Sequence, residues 1–214
     1  MVNHRLFDSR TLVFGIVLIA FSSISPHSRA TSIRWRNPAG GAYNAAGNWF
    51  GSVVPGASDI AVFGLTTNTA SPPFPTPTSY TVSFAATTTN QGISVDDDQV
   101  TLDLNGFIYR TPGATNVVGN THNQTGRLTI VDGTWDDNLS GSLQINPKGN
   151  FTVSTGGSFF GESINVAGSG GLLVSNGGQV VSPSLVIGAL SLNNATALAT
   201  VDGANSTLTV DHLG

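Results

Sequence analysis

The feature that most constrains this chain is a short phrase that returns throughout its second half. An apolar residue, usually Thr, and Val or Ile lead into a glycine. The copies are Leu128-Thr-Ile-Val-Asp-Gly133, Phe151-Thr-Val-Ser-Thr-Gly156, the shorter Leu173-Val-Ser-Asn-Gly177, and Ala199-Thr-Val-Asp-Gly203. Leu208-Thr-Val-Asp211 reads as a fifth copy. Successive glycines stand 23, 21 and 26 residues apart. Between them lies a second strand-like phrase: Leu143-Gln-Ile145, Ile164-Asn-Val166 and Leu185-Val-Ile-Gly188. A unit of this length cannot bury its apolar side alone, so it must stack on neighbouring units, which is the arrangement of a solenoid.

Within such a coil, alternate residues point inward and outward. That parity turns Leu128 and Ile130 inward and Thr129 outward, and it likewise buries Phe151 and Val153, Leu172 and Val174, Leu208 and Val210. Glycines recur where a coil must turn, at Gly133, Gly156-Gly157 and Gly177-Gly178, and glycine tolerates the positive φ of a tight corner. Asn105-Gly106 fits a hairpin as well as a corner; the recurrence of glycine favours a corner. No stretch after residue 30 has sustained helical spacing. The expected fold is all-β, a right-handed parallel β-helix of roughly eight coils and about 40 Å.

Charged residues make up 9% of the 214 residues, against about 25% in ordinary domains. Thr, Ser, Asn and Gly must therefore cover the surface. Lys148 is the only lysine, and the net charge is −4, so no basic stripe exists to neutralise phosphates and no nucleic-acid partner is expected. The chain has no cysteine, which removes disulfides and thiolate metal sites.

Arg5 and Arg10 precede the apolar run Leu12–Phe21, and Ser28-Arg29-Ala30 follows. This is the pattern of a secretory signal peptide over residues 1–30. The mature chain is expected to start near Thr31 and to be secreted or held at the cell surface, meeting membrane only through this segment or a missing C-terminal anchor. Residues 31–70, rich in aromatics and turns, are expected to cap the rod. Residues 71–214 are expected to form the repeats, with the proline-rich Ser71–Pro77 as a surface loop.

Gly171-Leu-Leu-Val-Ser-Asn-Gly-Gly-Gln-Val180, Ser184-Leu-Val-Ile-Gly188 and Ala199-Thr-Val-Asp-Gly-Ala-Asn-Ser-Thr-Leu-Thr-Val210 resemble the type V secretion/PEP-CTERM-associated repeat of bacterial surface proteins. Asn48-Trp49, Val54-Pro-Gly56 and Asp59–Phe63 are similar to the opening of related autotransporter-like β-strand-repeat proteins. The resemblance implies a secreted parallel β-helix displayed at or beyond the outer membrane. The family's C-terminal barrel and sorting tail have no counterpart, so the chain reads as a truncated piece or one displayed by other means.

Candidate chemistry is thin. Trp35 and Trp49 suit the covering of the rod's capped end; the functional alternative is that they stack on sugar rings, which would require both rings exposed and coplanar. Asp96 and Asp98, within the run Asp96–Asp98, would share one face of a strand and offer oxygens to Ca²⁺; a solvated turn is the plainer reading. Asp136-Asp137 resembles a carboxylate pair for glycoside hydrolysis, with Arg110, Arg127 or Lys148 as companions, and again a solvated turn is preferred. His122, in a polar loop, has no partner for a metal site or triad. Gly168–Gly171 is a corner and not a phosphate loop. No catalytic residue and no cofactor other than that Ca²⁺ is expected. The leading expectation is a non-enzymatic structural or adhesive passenger making weak repeated contacts to glycans or other cell-surface components. The alternatives are a β-helix polysaccharide lyase or hydrolase and a carbohydrate-binding module.

Overall fold

A computed structural model of the chain describes residues 30–64, 77–113, 115–119, 125–189 and 196–214. The apolar run before Ala30, most of the proline-rich segment and His122 lie outside the described residues. The strands are β1 (Ser32–Arg34), β2 (Gly41–Ala42), β3 (Ile60–Phe63), β4 (Ser79–Ser83), β5 (Thr88–Thr89) and β6 (Gly92–Val95). Next come β7 (Gln99–Asp103), β8 (Ile108–Arg110), β9 (Thr115–Val118), β10 (Arg127–Val131), β11 (Gly133–Ile145) and β12 (Asn150–Val153). The last are β13 (Gly157–Ala167), β14 (Gly171–Ser175), β15 (Gln179–Ala189), β16 (Leu198–Asp202) and β17 (Thr207–Leu213). The only helices among the described residues are two short 3₁₀ turns, Ala46–Asn48 and Phe50–Ser52.

Every pairing between these strands is parallel. They form two sheets, each ordered along the rod: β2-β4-β7-β10-β12-β14-β16 in one, and β1-β3-β6-β9-β11-β13-β15-β17 with β5 and β8 in the other. The chain is a parallel β-solenoid. In the C-terminal half each rung adds one short strand to the seven-stranded sheet and one long strand to the other. The long strands are two arms joined at a bend. The first arm of β11 pairs with β8 and the second with β9, and its register against β13 shifts between Asp137 and Ser142.

Leu128 lies beside Phe151, Phe151 beside Leu172, and Leu172 beside Ala199. These are steps of 23, 21 and 27 residues, so the glycine intervals measured the rung. One phrase is misplaced by the repeat reading. Leu208-Thr-Val210 pairs with Val180–Ser182 in the long-strand sheet, not with Ala199–Val201. Period-two alternation is the same on every face of the coil, so the phrase alone does not say which face it occupies.

Asn105-Gly106 is a corner. Asn105, Asp132, Thr155 and Asn176 adopt φ of 47°, 48°, 46° and 49°, each followed by a glycine at positive φ. The corners hydrogen-bond along the rod: Asp132 N–H donates to Thr155 O (3.1 Å) and Thr155 N–H to Asn176 O (3.1 Å).

The core follows the parity. Leu128, Ile130, Phe151, Val153 and Val174 are fully buried, and Leu172 nearly so. Aromatics fill the N-terminal and middle rungs in continuous contact. Trp49 meets Phe63 and Tyr43, Tyr43 meets Tyr109, Tyr109 meets Trp135, and Trp135 meets Phe159 at 4.9 Å. Each such contact adds about 0.5–1.5 kcal/mol beyond simple burial.

Candidate functional site

The two tryptophans are core, not surface. Trp35 and Trp49 have no exposed area, and their rings meet edge to face at 88° with centroids 4.9 Å apart. Each indole N–H is spent on backbone, Trp35 on Asn37 O (2.6 Å) and Trp49 on Tyr43 O (2.7 Å). Sugar stacking needs an exposed, coplanar pair, and these rings supply neither condition. A large apolar body beside the end of the ladder gains more from burial than from exposure.

The acid run sits in the turn between β6 and β7, where its members are turned apart. Asp96 faces Arg34 (3.4 Å) and accepts from Ser94 Oγ (2.7 Å). Asp98 is fully buried and accepts from the Tyr80 hydroxyl (2.9 Å) and the Thr78 N–H (3.3 Å). Asp97 is also buried, and its Oδ1 has no hydrogen-bond partner. Burial, reinforced by the Asp98 and Asp96 carboxyls, pushes Asp97 up from 3.8 to about 6. The shared strand face expected for Asp96 and Asp98 does not form, because the chain is turning there, and two of the three carboxyls are enclosed where a solvated turn was expected. Among the described residues no group of three or more acidic or histidine side chains gathers to hold a metal ion.

Asp136 and Asp137 lie within β11, where adjacent residues face opposite sides. Asp136 points out and pairs with Arg110 (3.4 Å). Asp137 points in at the bend of the rung and is fully buried. Trp135 donates its indole N–H to Thr111 Oγ1 (2.8 Å), and that hydroxyl donates to Asp137 Oδ1 (3.1 Å). Asp137 Oδ2 has no partner. Burial pushes this carboxyl up from 3.8 to about 7, opposed by hydrogen bonds from Asn116 and Thr111 and reinforced by Glu162 and Asp136. Thr111 and Asn116, both fully buried, were not singled out by sequence. The signal existed: Trp135 and Asp137 share a strand face, so an inward tryptophan implies an inward aspartate.

The exposed side of the seven-stranded sheet carries a regular polar surface. Inward Val100, Leu128, Phe151 and Leu172 leave their neighbours pointing out. Two outward columns run along the rod in register. One is Thr81, Thr101, Thr129, Thr152, Leu173 and Thr200; the other is Ser79, Gln99, Arg127, Asn150, Gly171 and Leu198. Between and beneath them lies a groove of about 440 Å³. Gly171 helps to open it, since a glycine leaves the second column without a side chain between Asn150 and Leu198.

No protein-family model matches the chain, and neither does any curated protein or any solved structure. No helix among the described residues is long and apolar enough to cross a membrane.

Proposed function

We propose that this chain is a non-enzymatic β-solenoid rod of a secreted or surface-displayed bacterial protein, kin to the type V secretion/PEP-CTERM-associated repeat proteins. Its working surface is the outer side of the seven-stranded sheet. The observation that carries the reading is the in-register array of hydroxyl and amide side chains on that side, repeated at about 4.8 Å per rung. Many identical weak contacts add up through effective concentration without a deep pocket. Such a surface suits glycans and other polar cell-surface polymers. Export rests on Arg5, Arg10, the apolar run Leu12–Phe21 and the small residues before Thr31.

The enzymatic alternative draws on Asp137, whose carboxyl titrates at about 7. That is a useful value for a general acid, but the group is enclosed. Two measurements test the proposal. Expression in a Gram-negative host should release or display a protein that begins near Thr31. Incubation with a panel of polysaccharides should retard the protein in affinity electrophoresis without producing new reducing ends or unsaturated products. Turnover lost in Asp137→Asn would overturn the non-enzymatic reading, and retention of the uncleaved chain in the cytoplasm would overturn display.

A further inference from the structure

The groove on the seven-stranded sheet is uneven in charge. Its lining contains one arginine and no carboxylate, in a chain with 12 acids against 8 lysines and arginines. Three other arginines among the described residues are engaged elsewhere. Arg34 is paired with Asp96 and Arg110 with Asp136, while Arg36 donates its Nε–H to Gly47 O (2.8 Å). Neither ion pair among the described residues involves Arg127, which is exposed on this face. Lys148, also exposed, stands at the turn before β12. Its carbonyl accepts from Asn150 Nδ2 (3.3 Å), and Asn150 is the register partner of Arg127. Arg127 therefore stands at one rim of the groove, and the Lys148 backbone lies beside its register partner on that rim. The acids of the same sheet side stand at its opposite, corner edge, where Asp103 Oδ1 accepts from the Asn105 N–H (3.3 Å).

From this arrangement we infer that the groove binds a carboxylate-bearing polysaccharide, of the uronic-acid class, lying along the rod axis. The inference rests on the surface-contact reading above and deepens it. Arg127 supplies a planar fork of donors that matches a carboxylate. Thr101, Thr129 and Thr152 supply hydroxyls that both donate and accept, as sugar hydroxyls require. Gln99 and Asn150 flank Arg127 on the neighbouring rungs and supply amides with the same double capacity. At the far end, Leu173 and Leu198 are 36% and 58% exposed and offer an apolar footing for the C–H face of a sugar ring. Six strands contribute to the groove side, and five spacings of about 4.8 Å give about 24 Å, room for several sugar units in a row. A polymer laid along that line meets the hydroxyls of Thr81, Thr101, Thr129 and Thr152 on successive rungs, so contacts too weak to hold one sugar hold a chain.

The test uses the full chain and oligogalacturonate as probe, with its methyl ester and a neutral glucan as controls, read by calorimetry and affinity electrophoresis. Arg127→Gln removes the charge at an exposed position, and Thr152→Glu adds a like charge in the adjacent column with Phe151 and Val153 left in place. Unchanged circular dichroism shows that both variants are folded. Oligogalacturonate is expected to bind wild type, to weaken about tenfold or more in Arg127→Gln, and to weaken at least as much in Thr152→Glu and at high salt. Equal binding of acid and methyl ester, or no effect of either variant, would overturn the uronate assignment while leaving the surface-contact reading in place. Failure of every polymer in the panel to bind would overturn both.

Discussion

The two ends of the rod solve the same problem with different material. At the N-terminal end, Trp35, Trp49 and Tyr43 are at most 2% exposed and pack against Phe63, Tyr80 and Phe84. Side chains close the remaining backbone there: Asn37 Nδ2 donates to Asn48 Oδ1 (2.9 Å), Asn48 Nδ2 to Ala42 O (2.9 Å) and Asn90 Nδ2 to Pro55 O (3.0 Å). At the C-terminal end the ladders shrink. The column Phe151, Leu172, Ala199 loses side-chain volume at each step, and Val201, Leu198 and Leu213 are 46%, 58% and 74% exposed. The last described rung keeps an interior rung's alternation of apolar and polar residues. A solenoid rung derives its stability from its interfaces, so the aromatic end holds more of the stability than the aliphatic one.

Truncating a side chain at each end is the most severe test of that contrast. Trp49→Ala removes a fully buried indole and is expected to cost about 3–5 kcal/mol. Leu213→Ala, at 74% exposure, is expected to change stability by less than about 0.5 kcal/mol. Denaturant unfolding measures both. Amide exchange should agree, with β16 and β17 exchanging fastest and β3 and β4 slowest. Equal costs at the two ends would break the comparison.

Acidity sharpens it. The enclosed carboxyls, Asp97 at about 6 and Asp137 at about 7, lie in the N-terminal and middle rungs, whereas Asp202 and Asp211 at the other end are exposed. Both enclosed groups hold a proton more tightly folded than unfolded. The native state therefore binds more protons between pH about 4 and pH about 7, and stability falls as pH rises through that window, then levels off. For Asp137 the shift from 3.8 to about 7 corresponds to about 4 kcal/mol at most. Unfolding measured from pH 4 to 8 is expected to show that decline, and Asp137→Asn to flatten much of it. Protection in β7–β11, corrected for intrinsic exchange, should track pH while that of β16 and β17 should not. A protein most stable at neutral pH would contradict the enclosure of these acids.

What the sequence made legible follows from the same physics. Spacing between glycines measures the rung, because a corner at positive φ must recur once per turn. Alternation reports which side of a strand is buried, as Leu128, Thr129 and Ile130 show. Neither signal says which face of the coil a strand occupies, which is why Leu208–Val210 reads like Ala199–Val201 while sitting in the other sheet. The size of Trp35 and Trp49 left two readings, covering the end of the stack or stacking on sugars, and their burial fits the first. Asp136-Asp137 looks like one acidic pair until strand parity splits it into a surface partner for Arg110 and a buried acceptor for Thr111. The groove was invisible because its columns join residues 20–28 apart in sequence, and only the register brings Arg127 beside Asn150.

The corners are what the two ends share, and they give the finest test. Asn105 and Asn176 adopt nearly the same φ, 47° and 49°, a conformation that costs most L residues about 1–2 kcal/mol and asparagine less. Asn176→Ala is therefore expected to cost about 1 kcal/mol, and Asn176→Gly little, since the bond it forfeits, from Asn176 Nδ2 to Ser154 Oγ, is long at 3.4 Å. Asn105 makes the closer bond: its Nδ2 donates to Phe84 O (2.9 Å), reaching back one rung toward the aromatic end. Asn105→Gly keeps the backbone relaxed but forfeits that bond, so it is expected to remain about 0.5–1.5 kcal/mol less stable than wild type. Thermal unfolding of the glycine pair separates the two causes. If both glycine variants match wild type, the corner is a backbone device alone, and the end-to-end contrast rests on core volume without help from the polar side chains.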